Sequence, residues 1–323
     1  MASKTVSRRR ADELAAILDS TEIQRLIEDL ENTRWTGRPG YPVRALLGVA
    51  LAKSLYAIPT WSRTVALIHE HEALQRALGA VPSVYAAYRF AGKLRAHRTL
   101  LEGCIERVLS RLRAANPGMG ENIAIDASDL PAYANGQRFV SKGGRERAPE
   151  EYSDPDASWG HRSAVSTRKG GGFYGYRIHA AVCTQTGLPV AWEVRTAKDN
   201  EVPVAMPLLD AAIKHGPRAK TVAMDKGYDQ AVLYQGCHAR GAEAIIPLKK
   251  TPYAIPDCKL QTPRDERWRA LYKTRGAVER EFGRLKHEWA MLPLRVRGLA
   301  RVRLHVDLTI LAKLASALPA RIV

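Results

Sequence analysis

The chain has 323 residues, 46% of them hydrophobic, and its 50 Lys and Arg residues against 33 Asp and Glu residues give a net charge of +17. This length suffices for one large domain or two smaller ones with cores of their own, and the charge favours a polyanionic partner, either nucleic acid or an anionic membrane surface. The most apolar run, 45–58, contains Lys53 and is too short to span a bilayer, so we expect nucleic acid as the partner and no membrane.

The cysteines and the N-terminus indicate a reducing compartment. The four cysteines are widely spaced and form no C-x-x-C pair, which argues against a zinc site or a disulfide framework. Residues 7–10 are followed by an acidic segment rather than the apolar one of a secretory signal. We therefore expect a cytoplasmic protein with buried thiols at Cys104, Cys183, Cys237 and Cys258.

Residues 1–118 carry apolar residues at helical spacing and are predicted to form an all-helical N-terminal domain. Within it, 11–30 predicts two helices, and 42–56 predicts a helix that is apolar on nearly all sides and central to the core. The last helix, 89–112, is rich in arginine. Such a domain binds DNA through a helix-turn-helix-like unit or serves as a packing or dimerisation module, and the sequence favours neither.

The pattern changes after the turn-rich segment 116–120, and 119–323 is predicted to be an α/β domain. Short apolar runs predict five strands, at 122–126, 173–183, 188–196, 221–225 and 244–248. The first three are expected to be antiparallel neighbours, because 184–187 is typical of a hairpin turn. With the helices between the later strands, the order β-β-β-α-β-α-β-α predicts an RNase-H-like mixed sheet flanked by helices.

The segment 134–172 is predicted to be a long loop. It is rich in Gly, Ser, Arg and acidic residues and has almost no aliphatic periodicity. A loop of this length is either functional or disordered. The basic run Arg162 to Arg177 overlaps its end and includes Arg168 and Lys169 beside three glycines, so we expect this run to be a flexible loop that contacts DNA.

The stretch from Tyr272 to Lys286 is predicted to form one amphipathic helix. At ~100° per residue, Tyr272, Arg275, Glu279 and Lys286 fall within roughly 60° of one another, beside an apolar stripe. Arg275 and Glu279 alone are consistent with a surface ion pair worth a few tenths of a kcal/mol. Glu281 falls on the far side of this helix.

Asp126 and Asp225 are each predicted at the C-terminal end of a buried strand. Such strand ends line a common crevice in a mixed sheet, although a single strand-end aspartate is more often a turn or cap residue. Together with Glu279 they form a set of carboxylates without His or Cys, which suits Mg²⁺ or Mn²⁺. Two such ions about 4 Å apart can activate a water or a 3′-hydroxyl against a phosphodiester. Asp129 and Asp229 lie nearby and are expected to be turn or capping residues.

Three motifs resemble the signatures of bacterial insertion-sequence DDE transposases. They are Ala-Ile-Asp126-Ala-Ser, Met-Asp225-Lys-Gly-Tyr and Tyr272-x2-Arg275-x3-Glu279-x6-Lys286, and the spacing of the last matches in full. The hairpin around 175–190 and parts of the helical half are also similar to this family. The resemblance covers most of the chain and is strongest from 122 to 290.

The resemblance implies that Asp126, Asp225 and Glu279 are the catalytic residues and hold two metal ions. It further implies that Arg275 and Lys286 contact DNA phosphate with Tyr272 beside them. The implied reaction is hydrolysis at the ends of the element, followed by attack of the freed 3′-hydroxyl on target DNA. The implied partners are the terminal inverted repeats, target DNA and a second copy of the chain, because two ends are held together.

Two other functions stay open on the sequence alone. One is a non-catalytic, element-derived DNA-binding regulator, against which the intact carboxylate set argues. The other is a structure-specific nuclease on the same fold, which would prefer junctions or hybrids to element ends. Near the C-terminus, four arginines either extend the DNA-binding surface or are solvated residues flanking a final core helix: Arg295, Arg297, Arg301 and Arg303.

Overall fold

The computed structural model describes residues 2–33, 40–136, 151–162 and 169–318, with side chains from residue 9 onward. Its helices are, in chain order, α1 (Ala2–Asp19), α2 (Thr21–Asn32), α3 (Val43–Leu55), α4 (Trp61–Glu70), α5 (Glu72–Leu78), α6 (Val84–Ala96), α7 (Arg98–Ala115), α8 (Val202–Ile213), α9 (Ala231–Ala239), α10 (Glu266–Lys273), α11 (Gly276–His287) and α12 (Leu299–Ser316). Among these described helices, none combines the length and apolarity that crossing a membrane requires.

The chain divides into two compact units. The helical unit comprises Met1–Ala115, Leu285–Val296 and Ala300–Val323, and the sheet unit comprises Asn116–Arg284 and Arg297–Leu299. This division differs at the C-terminus from the predicted contiguous domains 1–118 and 119–323. The difference comes from α12, which buries 12 of its 18 residues and belongs almost entirely to the helical unit.

The helical unit is built around α3, as its apolar pattern predicts. Eleven of the 13 residues of α3 are buried. Two polar contacts join it to α12: Lys53 Nζ lies 3.3 Å from His305 Nδ1, and Ser54 Oγ lies 3.3 Å from Thr309 Oγ1. The prediction of a central helix over 42–56 is therefore confirmed.

The sheet unit contains a mixed sheet whose described strands are β1 (Asn122–Pro131), β2 (Ser158–Arg162), β3 (Gly171–Cys183), β4 (Pro189–Thr196), β5 (Thr221–Ala223) and β6 (Glu243–Ile245). β3 pairs antiparallel with β1 on one side and with both β2 and β4 on the other. β1 continues in parallel to β5, and β5 in parallel to β6. With α8 packed on β3 and β4, and α9 on β6, this arrangement is the predicted RNase-H-like α/β fold.

One strand lies inside the segment predicted to be a loop. β2 pairs with the first half of β3, from Ser158 opposite Gly175 to Arg162 opposite Gly171. Its sequence Ser-Trp-Gly-His-Arg has no aliphatic residue, so it lacks the apolar run from which we predict strands. The prediction of a loop over 134–172 is therefore wrong at 158–162 and 171–172, and the run 162–177, predicted to be a flexible loop, belongs to β3 from Gly171 onward. Residues 137–150 and 163–168 lie outside the described residues.

The predicted single helix from Tyr272 to Lys286 is also wrong, because the chain forms α10 and α11 with a break between them. At the break, backbone bonds connect residues three apart, as from Arg275 N to Tyr272 O at 3.0 Å. Thr274 Oγ1 donates to Leu271 O at 2.6 Å, and a glycine follows at 276. Both are local reasons to end a helix, since Thr competes for backbone acceptors and Gly is a weak helix former.

Candidate active site

The parallel register of β1 and β5 brings Asp126 and Asp225 to the same level of the sheet. Ala124 pairs with Ala223, and each aspartate lies two residues beyond that pair. Since side chains alternate along a strand, this spacing returns both to one face. Asp225 directly follows β5, as predicted for a strand end. Asp126 does not stand at a strand end, because β1 continues to Pro131 through its antiparallel pairing with β3.

Asp225 is oriented by a tight turn. It is the N-cap of a 3₁₀ turn, Lys226–Tyr228, and its Oδ1 accepts a hydrogen bond from Gly227 N at 2.6 Å. A Cβ at Gly227 would stand only 2.8 Å from the same oxygen, so this close approach requires glycine. The turn thus fixes the carboxylate beside the end of β5.

Asp126 is held between a backbone amide and a guanidinium. Its Oδ1 accepts from Ala127 N at 2.8 Å, and its Oδ2 accepts from Arg275 NH1 at 3.0 Å. Burial raises the pKa of Asp126 to about 7; the charges of Asp225 and Glu201 add to this rise, whereas the two donors oppose it. Asp126 therefore lies where negative charge is unfavourable unless a cation stands beside it.

Arg275 lies in the break between α10 and α11 and contacts both Asp126 and Glu279. Its NH2 donates to Glu279 Oε1 at 2.5 Å while its NH1 donates to Asp126. Although burial opposes it, the charges of Asp126 and Glu279 raise the pKa of Arg275. The guanidinium lies 5.9 Å from the centre of the Tyr272 ring, which stacks on Trp268.

The remaining predicted site residues are Lys286, Lys169 and Arg168. Lys286 follows Glu279 by seven residues on α11 and is counted with the helical unit. Lys169 is exposed just before β3, and Arg168 lies outside the described residues. Glu281, which the helical angles place opposite Glu279, is buried, with 1% exposure.

Three residues of this region escaped the sequence reasoning: Arg177, Glu201 and Tyr228. Glu201 precedes α8, and Arg177 NH1 lies 3.1 Å from its Oε1. Arg177 also pairs with Asp129 at 3.4 Å, so Asp129 is a buried strand residue and not the predicted turn or cap. Two of them carried a sequence signal: Tyr228 stands in the Asp-Lys-Gly-Tyr motif, and Arg177 ends the basic run predicted to contact DNA.

Asp229 has a structural role, as predicted. It directly follows the 3₁₀ turn and its Oδ2 accepts from Lys249 N at 2.7 Å. Its Oδ1 lies 3.0 Å from Lys259 Nζ and accepts from the Tyr234 hydroxyl at 3.1 Å. These contacts tie the turn to the segment after β6.

A pocket of about 450 Å³ opens beside the Asp225 turn. Its lining includes Trp159, Arg177, Glu201, Gly227 and Tyr228. All five belong to the sheet unit. The pocket gives solvent and small solutes access to the side of the site on which Glu201 lies.

The donor set fits a hard divalent cation. Within the described ranges, no three His, Cys, Asp or Glu side chains already stand at metal-coordinating spacing. The oxygens of Asp126, Asp225 and Glu279 are nevertheless the type that Mg²⁺ and Mn²⁺ prefer. Arg275, a cation itself, already lies between two of these carboxylates, Asp126 and Glu279.

Two protein families match the chain. The family described as "Transposase DDE domain" matches residues 117–314, which include Asp126, Asp225 and Glu279. The family described as "Transposase domain (DUF772)" matches residues 2–90. A comparison with curated proteins found no match. Because the first match spans more than half of the sequence, the chain belongs to the DDE transposases: it is a DNA transposase of an insertion sequence, which cleaves DNA and transfers strands with the aid of divalent metal.

Proposed function

We propose that Asp126, Asp225 and Glu279 are the catalytic carboxylates of this transposase and hold two divalent cations, Mg²⁺ or Mn²⁺. The common level of Asp126 and Asp225 in the sheet supports this assignment. The observation that carries it is Arg275, whose guanidinium joins Asp126 to Glu279 and so brings the third carboxylate to the first. When bound, the ions would activate the attacking oxygen and stabilise the leaving one.

The residues beside the carboxylates would bind the DNA strand. Arg275 suits a bidentate contact to a phosphate, and it must leave Asp126 and Glu279 to make that contact. Lys286, two helical turns beyond Glu279 on α11, would add a second cation along the strand. Lys169 with Arg168, outside this centre, would contact the DNA backbone farther away.

The proposed reaction proceeds in two steps on the same DNA end. A water first attacks the phosphodiester at the end of the element, and the bond to the 3′-oxygen breaks. The freed 3′-hydroxyl then attacks a phosphodiester of target DNA, so that one bond forms as another breaks. The turn at Asp225 and the amide of Ala127 keep two of the carboxylates oriented through both steps.

The assembly and location follow from the substrate. Terminal inverted repeats and target DNA would be the partners, and a homodimer would hold two ends together. The mass of the protein–DNA complex in solution tests the dimer, and a monomer on paired ends would contradict it. Within the cell the protein is expected on the nucleoid, where a fluorescent fusion would locate it.

The test of the catalytic assignment is cleavage and strand transfer on DNA carrying the element ends, with Mg²⁺. We expect Asp225→Ala and Glu279→Gln to lose at least a hundredfold in rate, because each removes a ligand charge from the centre. The matched control is Glu288→Gln, an exposed glutamate of the same region, which should retain wild-type activity.

Robust activity in either active-site variant would overturn the assignment. Salt-sensitive DNA binding without any cleavage by the wild type would instead indicate a regulator. Preference for junctions or hybrids over element ends would indicate a structure-specific nuclease.

A further inference from the structure

We propose that Glu201 is a fourth carboxylate of the cation site. The inference rests on the proposed function, in which Asp126, Asp225 and Glu279 hold divalent cations. It adds a residue that lies on a different element, at the start of α8. No motif in the sequence identifies Glu201, so the inference depends on its contacts in the sheet unit.

The carboxylate of Glu201 does not have the usual structural role of its position. Glu201 is the N-cap of α8, but its side chain makes no capping hydrogen bond to that helix. It accepts instead from Arg177, at 3.1 Å, and from the hydroxyl of Tyr228. Tyr228 is 1% exposed and follows Asp225 by three residues, so this hydroxyl fixes the carboxylate next to the Asp225 turn.

Two of the proposed metal ligands, Asp126 and Asp225, are among the charged neighbours of Glu201. Burial raises the pKa of Glu201; Arg177 opposes this rise, and the charges of Asp225 and Asp129 add to it. These effects agree with the contacts that hold Glu201 beside the Asp225 turn.

The charges of this cluster do not balance within the protein. The carboxylates coupled to Asp126 or Glu201 outnumber the guanidinium groups, which are those of Arg177 and Arg275. Arg177 is moreover shared between Glu201 and Asp129. A divalent cation would relieve this excess of negative charge, and in its absence the uptake of protons does so.

The pocket beside the Asp225 turn gives such a cation room. Glu201 and Tyr228 line this pocket of about 450 Å³, and Gly227 of the turn lines it too. Mg²⁺ retains several waters when it binds a protein, so its site needs open volume as well as carboxylates. Glu201 would offer its carboxylate to a hydrated cation in this volume.

The experiment is a calorimetric titration of the DNA-free protein with Mn²⁺. We expect Glu201→Gln to weaken Mn²⁺ binding about tenfold, because partners of this kind contribute ten- to a hundredfold to metal affinity. The matched control is Glu193→Gln, since Glu193 is also half-buried and paired with an arginine, Arg195, at 2.9 Å. This control should bind Mn²⁺ like the wild type.

Wild-type affinity in Glu201→Gln would overturn the proposal. Asp126→Asn serves as the reference: if it loses Mn²⁺ while Glu201→Gln does not, only the fourth carboxylate is rejected. If Asp126→Asn itself binds normally, the proposed catalytic site is rejected. Should Glu201→Gln fail to fold, Glu201→Asp takes its place, because aspartate keeps the charge but is shorter by one methylene. Unchanged Mn²⁺ affinity in Glu201→Asp would again contradict the proposal.

Discussion

At the scale of single residues, Arg275 determines the charge balance of the site. It contacts Asp126 at 3.0 Å and Glu279 at 2.5 Å, so one guanidinium neutralises two of the proposed ligands. The same group is suited to hold a DNA phosphate. Arg275 cannot contact the two carboxylates and a DNA phosphate at the same time.

Arg275→Ala should therefore change two affinities in opposite directions. We expect Mn²⁺ to bind the DNA-free variant severalfold more tightly, because the carboxylates no longer have a competing cation. DNA should bind more weakly, because a phosphate contact is lost. Calorimetry with Mn²⁺ and a DNA-binding isotherm measure the two effects, with the exposed Arg280→Ala of the neighbouring helix α11 as control. Weaker Mn²⁺ binding in Arg275→Ala would contradict the competition.

The sequence predicts this centre only in part. Asp126, Asp225 and Glu279 stand out because their motifs have fixed spacing, and the structure brings Asp126 and Glu279 to one guanidinium. Glu201 does not stand out, since no periodicity relates a residue before α8 to a turn after β5. The helical angles place Glu281 on the far side of the helix from Glu279, but they do not reveal that it is buried.

At the scale of elements, the break between α10 and α11 places Arg275 outside regular helix. Gly276 begins α11 with an ordinary backbone, and an added Cβ would meet only the flexible end of Arg280, at 3.0 Å. Gly298, before α12, is different, because its φ is +86°. The backbone conformation therefore favours glycine at position 298 but not at position 276.

Replacing each glycine with alanine should change the free energy of unfolding in opposite directions. We expect Gly276→Ala to raise the free energy of unfolding by roughly 0.5–1 kcal/mol, because alanine favours helix. Gly298→Ala should lower it by about 1–2 kcal/mol, because a side chain is strained at positive φ. Chemical denaturation measures both. A destabilised Gly276→Ala would show that the break itself requires glycine.

The contact between α3 and α12 predicts a pH dependence of stability. Burial lowers the pKa of His305 to about 3, and the charge of Lys53 acts in the same direction. Below the ordinary pKa of histidine, near 6.5, the unfolded chain takes up a proton that the folded chain refuses. The free energy of unfolding should therefore fall by up to about 1.4 kcal/mol per pH unit as the pH drops below about 6.5.

His305→Gln should remove this contribution. Denaturation at pH 7 and pH 5 compares the variant with the wild type, and the wild type should lose more stability between the two. His179, whose pKa burial lowers to about 4, contributes in the same direction in both proteins and so cancels from the comparison. An equal loss in the variant would mean that His305 is protonated in the fold.

At the scale of the whole molecule, the net charge of +17 matches the DNA substrate of a transposase. The basic residues are spread over both units rather than confined to a tail. Near the C-terminus, Arg295, Arg297 and Arg301 are exposed, and Arg297 donates to Tyr133 O at 2.8 Å. The pair Arg295 and Arg301 is the candidate for a DNA contact.

Charge reversal of that pair should flatten the salt dependence of DNA binding. Each lost phosphate contact should reduce the slope of log affinity against log salt by about 0.9. Binding of Arg295→Glu with Arg301→Glu, measured over a range of salt, gives this slope. The control is Arg267→Glu, since Arg267 is exposed but paired with Glu243 at 2.7 Å. An unchanged slope would identify the C-terminal arginines as solvated residues only.

At this scale, the parts of the fold that could be predicted are those with a local periodicity in the sequence. The helical half, the hairpin and the alternating strands and helices each carry a periodicity, and all are present. The membership of α12 in the helical unit was not predictable, because it depends on pairing residues such as Lys53 and His305 that lie far apart in sequence. The strand β2 was missed since its pairing is made by backbone groups rather than apolar side chains.

The single guanidinium shared by Asp126 and Glu279 has a thermodynamic consequence. On the proposed contacts, Arg275 cannot occupy the carboxylates and a phosphate at once, so the two ligands are heterotropically linked. Linkage is reciprocal: whatever factor DNA adds to cation affinity, the cation adds to DNA affinity. One arginine would thus couple loading of the metal to capture of the element end, and keep the enzyme unloaded when no DNA is present.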